Sequence, residues 1–340
     1  MIHLMASLRG LLKPQSVHID NILFCLHYKL TVIFLLAFSV LVGSRQYFGD
    51  PLNCEFSEYP NGDLNNYCFV QATFVRERSG SSRGRMRFYS YYSWVSLALF
   101  VQAMFFYVPR YMWKTFEGGR IKVLSMEVHS PTLKEDCIEK ESKELYEYFR
   151  LHLQTHNQYA YKYFFCELLN LINTGGQIIF LNRFIGEGFR SYGLDIMFMN
   201  YQDMEHHMGQ LFPISTICTF QKYGVTGFKE TMEGICLLTH NPLNEKIYRF
   251  LWFWMYIVAI ISLMVILYRI MTIFSSSFRF YLFRLTCTMN SAVEIRQVFN
   301  KLQIGDWFFM LLLYKNVNQR VYKELITQLA KHGDSGVSDP

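Results

Sequence analysis

The sequence predicts a mainly α membrane fold: a four-transmembrane-helix bundle with small, disulfide-linked, β-containing extracellular loops and a cytoplasmic helical region. Three observations predict it. Hydrophobic residues make up 51% of the 340, and they are gathered into four runs of the length that crosses a bilayer, about 20 residues for a ~30 Å hydrocarbon core. The two segments opposite the termini each hold one pair of cysteines. Basic residues favour the terminal side.

Residues 1–21, "MIHLMASLRGLLKPQSVHID" and Asn21, come first. They are amphipathic, too weakly apolar for a signal peptide, and lack a small-residue cleavage pattern. The first span is therefore expected to stay as an anchor. Ile2, Leu4, Met5, Leu8, Leu11 and Leu12 suit either an interfacial helix on the inner leaflet or a helix folded into a water-filled conduit, and spacing does not separate the two. The spans follow at 22–44, 91–113, 164–184 and 250–274. Trp and Tyr flank the second and fourth, as suits the headgroup level. Four spans place both termini on one side. The loops then run over 45–90, 114–163 and 185–249, with a C-terminal helical region over 275–340.

Lys and Arg number 11 in 45–90 and 185–249 but 21 on the terminal side, which puts the termini in the cytoplasm. Five arginines between Arg76 and Arg87 run against that bias. Cysteine decides it. Cys54 and Cys68 lie in one proposed outer segment, Cys218 and Cys236 in the other, as an oxidising exterior would have it. Four cysteines allow three connectivities.

The first outer segment has a turn at Pro60–Asp63 and a β-like run at Tyr67–Val75; the second has Gly-punctuated β-like pieces between Cys218 and Cys236. Neither carries an Asn-x-Ser/Thr glycosylation acceptor, which permits a bare face able to meet another protein. Ser130–Leu153 begins with Thr132 and Glu135 at capping-box spacing and reads as a charged helix. Gly305–Asn316 is apolar but too short to span. Val317, Val321, Leu325 and Leu329 repeat at helical spacing, and the last residues, "HGDSGVSDP", read as disordered.

Within the third span Glu167, Asn170, Thr174 and Gln177 share one helix face, beside Gly175 and Gly176. Such a stripe faces either a pore or vestibule or a neighbouring helix that hydrogen-bonds to it. Lys29, near His27 on the first span, either snorkels or meets water in a conduit. Enzyme motifs lack their context. "GSSRG" around Ser82 sits in an arginine-rich loop rather than on a strand–helix turn. Glu205, His206 and His207 do not form H-E-x-x-H. No catalytic residue, metal site or cofactor is predicted, and a net charge of +6 spread over many loops gives no argument for nucleic acid.

At the second span, "YYSWVSLALFVQAMFFYVPRYMWKTFEGGRIK" (Tyr91–Lys122) resembles the signature region of the innexins, the invertebrate gap-junction proteins. Four further stretches agree in order, within Leu26–Cys54, Tyr163–Gly186, Cys218–Trp254 and Gly305–Ile326. The family's usual Y-Y-Q-W-V reads Tyr91, Tyr92, Ser93, Trp94, Val95 here. The resemblance implies a plasma-membrane gap-junction channel subunit: a ring of identical or related innexin copies, eight in the structurally known case, passing ions and small solutes. It implies that the first span and N-terminal helix line the conduit, through Ile2, Leu4, Met5, Leu8 and Lys29. The outer loops would dock onto a ring in the next cell, and the disulfides would be the nested pair Cys54–Cys236 and Cys68–Cys218. The alternatives are an undocked hemichannel releasing small molecules and a four-span adhesion or barrier protein without conductance.

Overall fold

A computed structural model describes residues 17–56, 63–77, 85–125, 135–198, 209–225 and 227–331. In chain order it has helix α1 (Ile22–Phe48), strand β1 (Asn53–Glu55), helix α2 (Asp63–Val70), and strands β2 (Thr73–Glu77) and β3 (Arg85–Tyr89). A single 3-10 turn at Tyr91–Ser93 leads into α3 (Val95–Glu117), followed by α4 (Arg120–Ser125), α5 (Glu135–His152), α6 (Asn157–Ile185) and α7 (Tyr192–Phe198). Strands β4 (Ser215–Tyr223) and β5 (Lys229–Leu237) precede α8 (Asn241–Phe274). Four helices close the chain: α9 (Ser276–Thr286), α10 (Ala292–Lys301), α11 (Ile304–Tyr314) and α12 (Gln319–Lys331).

Helices α1, α3, α6 and α8 are long and apolar enough to cross a bilayer, at 27, 23, 29 and 34 residues. The protein is a multi-pass membrane protein. Its helices outrun the apolar stretches at several ends. Thus α6 starts at Asn157 rather than Phe164 and α8 at Asn241 rather than Phe250, because backbone hydrogen bonding does not stop where hydrophobicity does. Pro242 sits in the first turn of α8, where its missing N–H costs nothing. At the second span the helix starts later, at Val95, after the tyrosine pair has formed its own tight turn.

The chain forms two compact units, one of residues 1–30, 106–172 and 260–340, the other of 31–105 and 173–259. The first is helical. Its core gathers Trp113, Phe149, Tyr163, Phe308 and Phe309, each under 5% exposed. Trp113 packs edge-on to Tyr159 and Tyr163 at 5.0 and 4.7 Å. The apolar α11 is buried among these rings, which explains a hydrophobic helix too short to span. Its start is a close fit: a Cβ on Gly305 would overlap the backbone of His156 and Asn157. Next to it Asp306, fully buried, accepts from His156 Nδ1 at 2.8 Å, Gln154 N at 2.9 Å and Gln303 N at 3.2 Å. One carboxylate thereby ties the end of α5, the start of α6 and the cap of α11. Helix α12 lays its apolar face, including Val321, Leu325 and Ile326, against this core.

The second unit carries a five-stranded sheet in the order β1-β5-β4-β2-β3, antiparallel throughout. Long β4–β5 pairing runs from Ser215↔Leu237 to Tyr223↔Lys229. Phe56 lies flat on Gly234, where a Cβ would come within 2.6 Å of its ring. One expectation is corrected here. Tyr67–Val75 is not a continuous strand: it is helical through Val70 and becomes strand β2 only at Thr73. Helical spacing puts Asn65 and Cys68 on one face, where the Asn65 side chain accepts from Cys54 N at 2.9 Å and Cys68 reaches Cys218. A strand would send residues three apart to opposite faces.

Candidate functional site

The candidate site in the sheet unit is the sheet and its supports. Two disulfides join segments far apart in sequence. Cys54 on β1 bonds Cys236 directly opposite on β5, and Cys68 on α2 bonds Cys218 on β4. All four sulfurs are buried. Each bridge closes a loop of more than 100 residues, and such a link typically stabilises by about 2–4 kcal/mol, chiefly by restricting the unfolded chain.

The signature tyrosines brace the same structure. Tyr92 is buried, and its hydroxyl donates to the end of α2, 3.0 Å from Cys68 O and 2.9 Å from Gln71 O. Tyr91 donates to Leu211 O at 3.1 Å and lies 3.3 Å from Asn241 Oδ1, while Asn241 donates to Pro213 O at 2.7 Å. Tyr89 adds a bond to Gln210 O at 2.6 Å. Tyr89, Tyr91 and Tyr92 thus fasten both loops to the segment that leads into α3. Val95 is fully buried and Trp94 is 58% exposed. Ser93 bonds back to Ser90 O, and its own carbonyl accepts from Gln46 at 3.4 Å. With that bracing, the sheet leaves apolar groups uncovered: Tyr223, Val225 and Phe228 around the β4–β5 turn and Met86 and Phe88 on β3 are exposed.

The polar stripe of the third span divides between the units. In the sheet unit Thr174 is fully buried and Gln177 donates to Asn173 Oδ1 at 3.3 Å. In the helical unit Asn170 is buried, and Glu167 receives Arg269 at 2.5 and 2.8 Å with both side chains under 10% exposed. The Arg269 guanidinium lies 4.8–5.4 Å from the rings of Tyr163, Phe164, Tyr268 and Phe308. Glu167 is thus paired with Arg269 of α8 inside the helical unit. A second buried pair joins Arg110 to Asp20 at 2.8 Å.

Sequence reasoning missed Arg269, Arg110 and Asp20. The signal was present: an arginine inside an apolar span needs a partner, and both spans carry one. Lys29 is half-buried on a π-helical turn, Leu26–Thr31, with its Nζ 5.9 Å from the Tyr28 ring centre. His27, on the same turn, is buried, with Nε2 2.9 Å from Ser262 Oγ. Ile2, Leu4, Met5 and Leu8 lie outside the described residues, as do Ser82, Glu205, His206 and His207.

A family description, Innexin, matches residues 20–333. The chain is 42% identical to innexin inx2 of Schistocerca americana, over 97% of this chain and 98% of that one. It is 41% identical to innexin inx2 of Drosophila melanogaster, over 97% and 96%, and 37% identical to innexin shaking-B of the same fly, over 97% and 94%.

Proposed function

Since this chain belongs to the innexin family, whose members form gap-junction channels, we propose that it is the subunit of an intercellular channel passing ions and small solutes down their gradients. Copies of the chain, alone or with related innexins, form a ring of eight around a wide pore that docks onto a ring in the neighbouring cell. The observation that carries this reading is the sheet stapled by Cys54–Cys236 and Cys68–Cys218, with exposed apolar groups around its turn. Docking two rings end to end needs a face that keeps its shape, and covalent cross-links supply it. The termini are cytoplasmic, consistent with 21 basic residues on that side against 11 on the other.

On this reading Ile2, Leu4, Met5, Leu8 and Lys29 line the conduit. No catalytic step is involved: pore radius and lining charge bias which solutes cross. Dual voltage-clamp recording from paired cells tests the proposal. Junctional conductance that appears only when both cells express the chain and touch is the expected result. Absence of any added conductance overturns it in favour of an adhesion or barrier role, and dye uptake by single cells without junctional current favours an undocked hemichannel.

A further inference from the structure

The chain's approach to the first span is clamped residue by residue. Trp113 Nε1 donates to Ile19 O at 3.0 Å, and Arg110 pairs with Asp20. Asn21 N donates to the Tyr163 hydroxyl at 3.1 Å, and Asn21 Nδ2 reaches Glu167 Oε1 at 3.3 Å. These four partners stand on α3 and α6. Two more come from the C-terminal region. Lys315 Nζ donates to Asn21 Oδ1 at 3.3 Å, and Asn316 grips the backbone of His18 at both ends. Its Oδ1 accepts from His18 N at 2.6 Å while its Nδ2 donates to His18 O at 2.8 Å.

The Asn316 contact has two features of a latch. It is made to backbone, so it holds the position of the chain whatever side chain the residue carries. It also needs a side chain that donates and accepts at once, and an amide does so from two separate atoms, one for each end of the His18 backbone. Asn316 itself is 1% exposed, donates to Leu312 O at 2.8 Å, and lies two residues past the end of the buried helix α11. Asn316 thereby links the last turn of that helix to the backbone of His18.

Building on the channel reading, we propose that Asn316 is a positioning residue: through it the C-terminal helices hold His18, where the chain enters the clamped stretch 19–21, in the conductive arrangement, and its release favours the closed channel. The pore itself is not lined by Asn316, so releasing it changes how often the channel is open and leaves the current through an open channel unaltered.

The test is single-channel recording from the full chain in cell pairs, with surface protein quantified by biotinylation. Asn316→Ala is expected to lower the ratio of open to closed time roughly tenfold, which corresponds to ~1.4 kcal/mol, with unitary conductance unchanged. Asn316→Asp keeps the acceptor for His18 N and loses the donor to His18 O. Because the new carboxylate oxygen faces His18 O and Leu312 O, both acceptors, in a buried site, this substitution is expected to lower the ratio at least as far as Asn316→Ala. Asn316→Gln, which keeps the amide but displaces it by one methylene, serves as the variant if Asn316→Ala does not reach the surface. Hydrogen exchange on purified protein gives the second readout, with faster exchange expected in peptides covering residues 17–25 in both variants. An unchanged or raised open-to-closed ratio at normal surface level, or a fall in unitary conductance, overturns the inference. So does altered gating with unaltered exchange over 17–25. Wild-type cell pairs without channel current would instead overturn the channel reading itself.

Discussion

Each of the two units of this protein is stabilised internally by a different chemistry. In the sheet unit, four cysteines form two buried disulfides and the ion pair Arg76–Glu233 lies half exposed at 2.9 Å. In the helical unit all four remaining cysteines, Cys25, Cys137, Cys166 and Cys287, are free. Among the described residues the ion pairs with both side chains under 10% exposed, Asp20–Arg110 and Glu167–Arg269, both belong to that unit, as does the buried contact of His156 with Asp306. Sulfur cross-links persist where the surroundings are oxidising and thiols where they are reducing. The segregation therefore supports the proposed orientation, with the sheet outside and the C-terminal helices inside. It also separates a part built to keep one shape from a part whose bonds can be exchanged.

Breaking a covalent support should have the largest effect. Cys54→Ser or Cys218→Ser is expected to abolish junctional conductance in paired cells, with surface biotinylation showing whether the protein still arrives. Full coupling by either variant would mean that the sheet keeps its docking shape without its staples. In the helical unit the matching experiment removes half of a buried pair. Arg269→Met leaves the Glu167 carboxylate uncompensated, and a loss of about 3–5 kcal/mol is expected, read as a lower thermal midpoint of purified protein. Adding Glu167→Leu should recover most of it, because the desolvation penalty disappears with the charge. A double variant no more stable than Arg269→Met would show that the aromatic rings around the guanidinium, rather than the pair, supply the stability.

Much of this comparison was legible in the residues, for identifiable reasons. The four spans were readable because hydrophobicity over ~20 residues leaves few alternatives, and the packed character of Gly305–Asn316 followed from its being too short. The cysteine pairs were visible, but their partners were not: three connectivities remained open from the residues alone, and family resemblance chose among them. The short helix α2 was hidden because "DLNNYCFV" ends in aromatic and β-branched residues whose local preference is for strand, whereas its disulfide and the Asn65 contact are tertiary. The clamp on residues 18–21 was out of reach for a similar reason. His18 and Asn316 are 298 positions apart, and nothing local marks an asparagine after an apolar helix as the partner of a distant backbone.

A smaller effect sharpens the role of the tyrosine pair. Tyr92→Phe removes one buried hydroxyl while keeping the ring that packs on Phe69 at 5.7 Å. It is expected to cost about 1 kcal/mol and to lower junctional conductance only partly, since Cys68–Cys218 still holds α2. Complete loss of coupling would instead make the hydroxyl as necessary as the disulfide.

The smallest effect is expected from the free thiols, and their reactivity should differ within the helical unit. Cys137 is exposed on α5. Cys287 is 2% exposed after α9, and burial pushes its thiol up to about 11, against weaker opposing hydrogen bonds from Thr286 and Tyr322. Since the thiolate is the nucleophile, roughly one Cys287 in 10,000 is reactive at pH 7 before access is considered. A maleimide added to purified native protein at that pH should label Cys137 and spare Cys287, as peptide mass spectrometry would show. Cys137→Ser should leave coupling and stability unaltered, because its side chain is exposed. Rapid labelling of Cys287 in protein that still conducts would mean that the α9–α12 region opens readily in the working channel. The contrast between a fixed sheet and an exchangeable helical unit would then be larger than the static packing implies.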